Sequence, residues 1–142
     1  MVNMAVNSTA ALKYTELFAS AELSEHTYKV NTNPLSWWEA QTHCISLGGN
    51  LATIRSNAEN ERVQAQSNSN VWIGLNDLES EGRWRWVGGE YPVFTKWDSG
   101  QPDNWHSGED CAHMRSNGVW NDAPCRDKLA SVCEFGAGVI RC

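Results

Sequence analysis

Three short clusters of oxygen-bearing side chains stand out in the C-terminal half of the chain: Gln101-Pro102-Asp103, Glu109-Asp110 and Asn121-Asp122. All offer hard donors, carboxylate or amide oxygens, with no thiolate or imidazole interleaved in the pattern. Calcium takes six to eight such oxygens at about 2.3–2.6 Å, whereas magnesium demands a tighter octahedron and zinc prefers nitrogen or sulfur. Calcium is therefore the cation these residues suit. The cluster is not an EF-hand, because the twelve-residue Asp-x-Asp-x-Asn-Gly loop is missing. Surface loops also collect Asp, Asn, Gln and Glu as turn formers, so composition alone does not distinguish a cation site from an ordinary loop.

The remaining signals constrain what surrounds this stretch. With 142 residues the chain is long enough for one domain. Its 17 Asp and Glu against 11 Lys and Arg, a net charge of −6, argue against a nucleic-acid-facing surface. No run of apolar residues reaches the ~20 needed for a membrane span. No G-x-S-x-G elbow, H-E-x-x-H pair or glycine-rich phosphate loop occurs, so catalysis is not expected. A glycoside hydrolase would need two separated carboxylates, whereas Glu109 and Asp110 are adjacent and would be occupied by the ion.

The five cysteines, Cys44, Cys111, Cys125, Cys133 and Cys142, lack zinc-site spacing and read as disulfide formers in an oxidising compartment. Spacing does not choose their pairing. The final residue, Cys142, is the natural odd thiol, either free or bridging to a second chain. Asn7-Ser8-Thr9 matches a glycosylation acceptor pattern, in keeping with a secreted protein whose signal segment has been removed.

Local patterns place the elements. Residues 1–25 are Ala-rich and mildly helical around Thr9–Ser20, with little to anchor them. Tyr28–Val30 reads as a short strand. Ser36-Trp37-Trp38-Glu39 is a capping box opening a helix to about Leu47, stopped by Gly48-Gly49. Trp37, Ala40, Cys44 and Leu47 fall on one face of it, which should be core. Ser56-Asn57-Ala58-Glu59 repeats the device and opens a second helix to about Gln66. Val71–Leu75 has the length of a buried strand, and Arg83–Val87 alternates like a half-buried one. Cys111–Arg115, Val119-Trp120 and Ser131–Phe135 read as further strands. Two helices followed by strands, without βαβ alternation, predict an α+β fold with small, mainly antiparallel sheets. The long aperiodic stretch from Gly88 to Asp110 is the functional loop region.

Taken in order, Gln101-Pro102-Asp103, Glu109, and Trp120-Asn121-Asp122 resemble the C-type lectin carbohydrate-recognition domain. The resemblance extends over the first helix with Cys44, Trp72-Ile73-Gly74-Leu75, Gly108-Glu109-Asp110-Cys111 and the closing Cys133-Glu134-Phe135. It divides the chain into an N-terminal extension (1–25), the recognition domain (26–135) and a tail (136–142) that carries Cys142. It implies bridges Cys44–Cys133 and Cys111–Cys125, and a short form of the domain, since Thr27 stands where longer forms carry an extra cysteine.

The resemblance also implies a sugar-binding calcium held by Gln101, Asp103, Glu109, Asn121 and Asp122, with a cis peptide bond before Pro102. Two vicinal sugar hydroxyls would coordinate the ion while bonding to the same carboxylates and amides. Gln-Pro-Asp, with the amide first and the acid second, accompanies galactose and N-acetylgalactosamine in this family, and Trp105 would stack on the apolar face of the sugar. The glycine-rich insertion that some galactose-type members place after this tryptophan is missing. A possible auxiliary calcium would use Asp77, Glu81, Asn104 and Asp110; Asn104 departs from the usual aspartate and removes a negative charge. The sequence thus reads as a secreted, calcium-dependent lectin for galactose- or GalNAc-bearing glycans, with a disulfide-linked homodimer through Cys142 as one possible assembly. The rival reading is a lectin-like module that binds a protein or other non-sugar ligand and uses calcium structurally.

Overall fold

A computed structural model describes residues 26–102 and 108–136 of the chain. Tyr28–Phe135 form one compact unit; Met1–Thr27 with Gly136–Cys142 form a second, of which only His26, Thr27 and Gly136 are among the described residues. The expected helical tendency around Thr9–Ser20 and the odd Cys142 lie outside the described residues.

The described residues form eight elements: β1 (Thr27–Leu35), α1 (Trp37–Ser46), β2 (Asn50–Leu51), α2 (Asn57–Gln64), β3 (Val71–Asn76), β4 (Cys111–Met114), β5 (Trp120–Ala123) and β6 (Leu129–Phe135). Its six strands form one sheet in the order β1-β6-β3-β4-β5, with β2 added to β6. The sheet is mixed. β3–β4, β4–β5 and β2–β6 are antiparallel, but β3 and β6 run parallel, with Val71 opposite Ala130 and Trp72 opposite Ser131. The expectation of several small sheets is corrected to one. The parallel pair joins segments about sixty residues apart, a contact that no local pattern encodes.

α1 has the hydrogen bonds its sequence calls for. Ser36 accepts from the Glu39 amide at 3.2 Å, and Glu39 Oε1 accepts from the Ser36 amide at 3.0 Å. At the other end Gly48, with φ +93°, donates to Ile45 O, and Gly49 donates to Cys44 O. This satisfies two carbonyls that the last turn would leave orphaned. Trp37, Ala40 and Cys44 are buried as expected, but Leu47 is 58% exposed. It is the C-cap, where the chain leaves the helical path, so the 3-4-3 stripe ends at Cys44. α2 is shorter than expected and carries half a capping box: Ser56 accepts from the Glu59 amide, but Glu59 Oε1 accepts from Arg55 N rather than from Ser56.

Arg83–Val87 is not a strand. One antiparallel bridge, Asn76 with Arg85, is all that forms before the chain turns back, with the Gly89 amide donating to Trp86 O. The alternation still did its packing work, because Trp86 is inserted into the core.

Two apolar clusters fill the interior. One surrounds Trp120 and Trp86 with Ile54, Ile73, Leu75 and Met114. The other packs Trp37 and Trp72 around both cystines. Cys44–Cys133 ties α1 to β6, and Cys111–Cys125 ties the start of β4 to the segment after β5. Closing loops of 89 and 14 residues, they restrict the unfolded chain by roughly 4–5 and 3 kcal/mol respectively in the loop-entropy picture. Of the eight tryptophans, Trp37, Trp72, Trp86 and Trp120 are buried, Trp84 and Trp97 are half-buried against each other, and Trp38 is exposed. Trp105 lies outside the described residues.

Candidate functional site: an oxygen-donor cluster beside strand β5

Trp120 anchors the candidate site to the core. Its indole N–H donates to Asn60 Oδ1 at 2.8 Å, and the ring meets Trp86, Phe94 and Trp97 edge-on with centroids 5.6–5.9 Å apart. Its backbone holds the long loop. Trp120 N donates to Lys96 O, Asp98 N donates to Trp120 O, and Gln101 N donates to Asp98 O, all at 2.8–2.9 Å. The segment leading to the cis Gln101–Pro102 bond is thereby laid along the strand that carries Asn121 and Asp122.

On the other side, β5 pairs with β4 so that His113 faces Asn121 and Ala112 faces Asp122. Asp122 is buried, and Glu109 and Asp110 immediately precede β4. Asn121 Oδ1 is buried and accepts no hydrogen bond. A buried amide oxygen without a donor is costly unless something absent from the polypeptide satisfies it. Asp103, Asn104 and Trp105 lie outside the described residues.

Asp77, Glu81 and Asp110 come together, each offering a carboxylate oxygen within 4.8 Å of the others. Asp77 opens the turn after β3 and is almost fully buried; its Oδ2 accepts from the Gly82 amide at 2.7 Å, while Oδ1 is buried without a partner. Asp110 Oδ1 is likewise buried and unpartnered. Among the described residues no Lys or Arg forms an ion pair with this trio. Burial pushes the Asp77 carboxyl up to about 7; the Gly82 N–H pulls against this, while the neighbouring Asp110 and Glu81 carboxyls reinforce it. Crowded acids with orphaned oxygens and no protein counter-charge suit a hard divalent cation. The clearest cation-ready geometry is thus at the residues expected to be auxiliary.

His113 is 6% exposed and sits edge-on to Trp72. Burial, reinforced by Arg115, lowers its pKa to about 4, so the imidazole is neutral near pH 7. From Asn121 a groove continues between Asn70, His113, Arg115, Ser116 and Asn117. Asn70 carried no signal in the sequence, being a single polar residue in a turn-rich stretch before β3.

The mixed sheet, the paired cystines and the loop held against β5 define a C-type lectin domain. The model of the family described as Lectin C-type domain matches residues 33–135, and the chain belongs to that family. It is 38% identical over 125 residues to the human C-type lectin domain family 10 member A, across 82% of this chain and 39% of that protein. The chain therefore spans well under half the length of that curated relative. The mouse scavenger receptor C-type lectin carbohydrate-recognition domain superposes with a TM-score of 0.75 at 32% identity, covering 78% of this chain and 90% of that one. The herring type II antifreeze protein superposes with a TM-score of 0.72 at 30% identity, covering 78% and 91%. None of these three carries an enzyme's name. C-type lectin domains usually bind calcium and are typically extracellular or secreted. Among the described residues no helix is long and apolar enough to cross a membrane.

Proposed function

We propose that this protein is a calcium-dependent lectin for galactose- or N-acetylgalactosamine-terminated glycans. The observation that carries the reading is Asn121: its buried, unpartnered amide oxygen lies on the strand beside which the Gln101–Pro102 segment is hydrogen-bonded. The principal calcium would be held by Gln101, Asp103, Glu109, Asn121 and Asp122. Each side chain that gives one atom to the ion keeps another for the sugar, so ion and sugar share one set of ligands. Two vicinal hydroxyls then replace water on the metal, donate to carboxylates and accept from amides. The amide-first, acid-second order of Gln101 and Asp103 supports the galactose polarity, and Trp105 supplies the ring for the sugar's apolar face.

Asp77, Glu81 and Asp110, with Asn104, would hold a second calcium. In the same reading the protein is secreted, and Cys142 joins two copies. A shallow site with few contacts binds a monosaccharide weakly, on the order of millimolar, so paired sites raise avidity. A non-reducing gel checks the dimer, which a band only at the monomer position would exclude.

The deciding experiment is a glycan array run in calcium and again in chelator. Binding to galactose- or GalNAc-terminated glycans that disappears with chelator supports the reading. Silence across the array, with calcium still bound in solution, favours the rival lectin-like module for a non-sugar ligand. The herring antifreeze protein's shared fold makes that a real alternative.

A further inference from the structure

A cavity of about 280 Å³ lies between α1 and the loop that follows β3, and it shares no lining residue with the groove beside Asn121. Its size, just under the ~300 Å³ at which small-ligand clefts begin, suits a single ring. Burial orders its lining. Trp37 and Trp86 are buried and Val87 is half-buried, whereas Arg83 and Glu79 are exposed and Arg85 lies between these extremes. The inner wall is therefore apolar and the rim charged. The two amide side chains of the lining are already engaged, Gln41 with Asn50 and the Leu51 amide, Asn76 with the Leu78 amide and Arg85 O.

The rim carries two guanidiniums against one carboxylate. Arg85 is braced: its Nη1 lies 3.2 Å from Glu79 Oε1, and its Nη2 donates to the Tyr91 hydroxyl at 2.9 Å. Arg83 reaches the same ring, with the guanidinium carbons of Arg83 and Arg85 6.0 and 4.8 Å from the Tyr91 centroid. Among the described residues Arg83 forms no ion pair. Together the two cations pull the Tyr91 hydroxyl below its ordinary pKa, which marks a local positive field on a chain of net charge −6.

We propose that this cavity binds a small aromatic carboxylate, with the ring against Trp37 and Trp86 and the carboxylate on Arg83. A planar carboxylate accepts two parallel N–H bonds from a guanidinium, and Arg83 has no acid of its own to satisfy. Arg85, held by Glu79 and Tyr91, adds charge without having to move, so little ordering is left for the ligand to impose. The ring supplies contact area that an inorganic anion lacks, and the indoles favour edge-on or offset packing with it. Nothing in this site depends on which sugar the calcium takes.

Heteronuclear NMR of the calcium-loaded protein, titrated with benzoate, phenylacetate and indole-3-acetate, tests the assignment. At least one of these acids should bind at about millimolar or tighter and shift the indole N–H signals of Trp37 and Trp86. Its neutral amide should bind roughly tenfold more weakly, the loss expected when a charge-assisted hydrogen bond becomes a neutral one. Arg83→Gln should cause a similar loss and leave calcium affinity and melting temperature at wild-type values, because the side chain is exposed and makes no ion pair. The site is overturned if none of the three acids binds, if acid and amide bind alike, if Arg83→Gln keeps full affinity, or if the shifts fall on Trp84 and Trp97 instead. Inorganic phosphate binding as tightly as the aromatic acids would reduce the cavity to a bare anion site and also overturn the proposal.

Discussion

The Asp77 amide donates to the Asp110 carbonyl at 3.0 Å, and the same backbone contact brings the two carboxyl groups into one cluster with Glu81. One hydrogen bond between the turn after β3 and the entry to β4 thus assembles like charges that neither segment would bring together alone.

Replacing one of these acids should weaken cation binding without unfolding the protein. Asp77→Asn keeps the shape and removes one charge, so calcium affinity at this site should fall on the order of tenfold or more. Calorimetric titration with calcium would show one weakened class of site. An unchanged isotherm would mean that the trio holds no ion.

Stability should depend on pH in opposite senses with and without calcium. The Asp77 carboxyl is held up to about 7 in the folded, ion-free protein, above its ordinary 3.8, so the folded state binds this proton more tightly than the unfolded chain does. Its contribution is complete below about 4 and is lost as pH rises through about 7. In chelator the melting temperature should therefore decline from about pH 5 to 8. Calcium requires the ionised form, so the rise in melting temperature it produces should grow over the same interval. Differential scanning fluorimetry in both buffers reads the two slopes.

Reversing the polarity of the loop motif should move sugar preference. Gln101→Glu combined with Asp103→Asn places the acid first and the amide second, and selectivity should shift from galactose toward mannose. Competition with the two monosaccharides measures it; retained galactose selectivity would defeat the donor–acceptor account.

Trp105→Ala should separate sugar from metal. Loss of the ring should weaken galactose several-fold, about 1 kcal/mol of stacking, while the calcium isotherm stays in place. Parallel loss of both would give the ring a structural role.

Trp120→Ala should destabilise the domain by about 3–5 kcal/mol, the usual cost of emptying an aromatic core position. It removes the bond to Asn60 and three edge-on ring contacts at once. Denaturant unfolding with calcium held constant would report it, and a loss below about 1 kcal/mol would contradict the packing described.

What could be read from the sequence was mostly local. The α1 capping box and its glycine stop depend on residues within four positions, so Ser36, Glu39 and Gly48 identified both ends. Leu47 was misassigned because helical periodicity says nothing about where the chain leaves the helix. Alternation at Arg83–Val87 correctly marked Trp86 as buried, yet a strand also needs a neighbour, which only the folded sheet supplies. The oxygen-donor motifs were legible through their types and order. The groove between Asn70 and Asn117 was not, because its lining residues are ordinary polar ones gathered from the stretch before β3 and from the β4–β5 hairpin.

The anchoring of the loop at Trp120 separates evolvability from stability. The described loop ends, residues 99–102 and 108–110, adjoin the Asp98–Trp120 backbone bond on one side and the Cys111–Cys125 crosslink on the other. Between those two fixed points the loop can be rewritten while the aromatic interior beneath it stays in register. A selection library randomised there, with the oxygen donors kept, should return mostly folded proteins, making this loop a part of the domain that can change independently of its core.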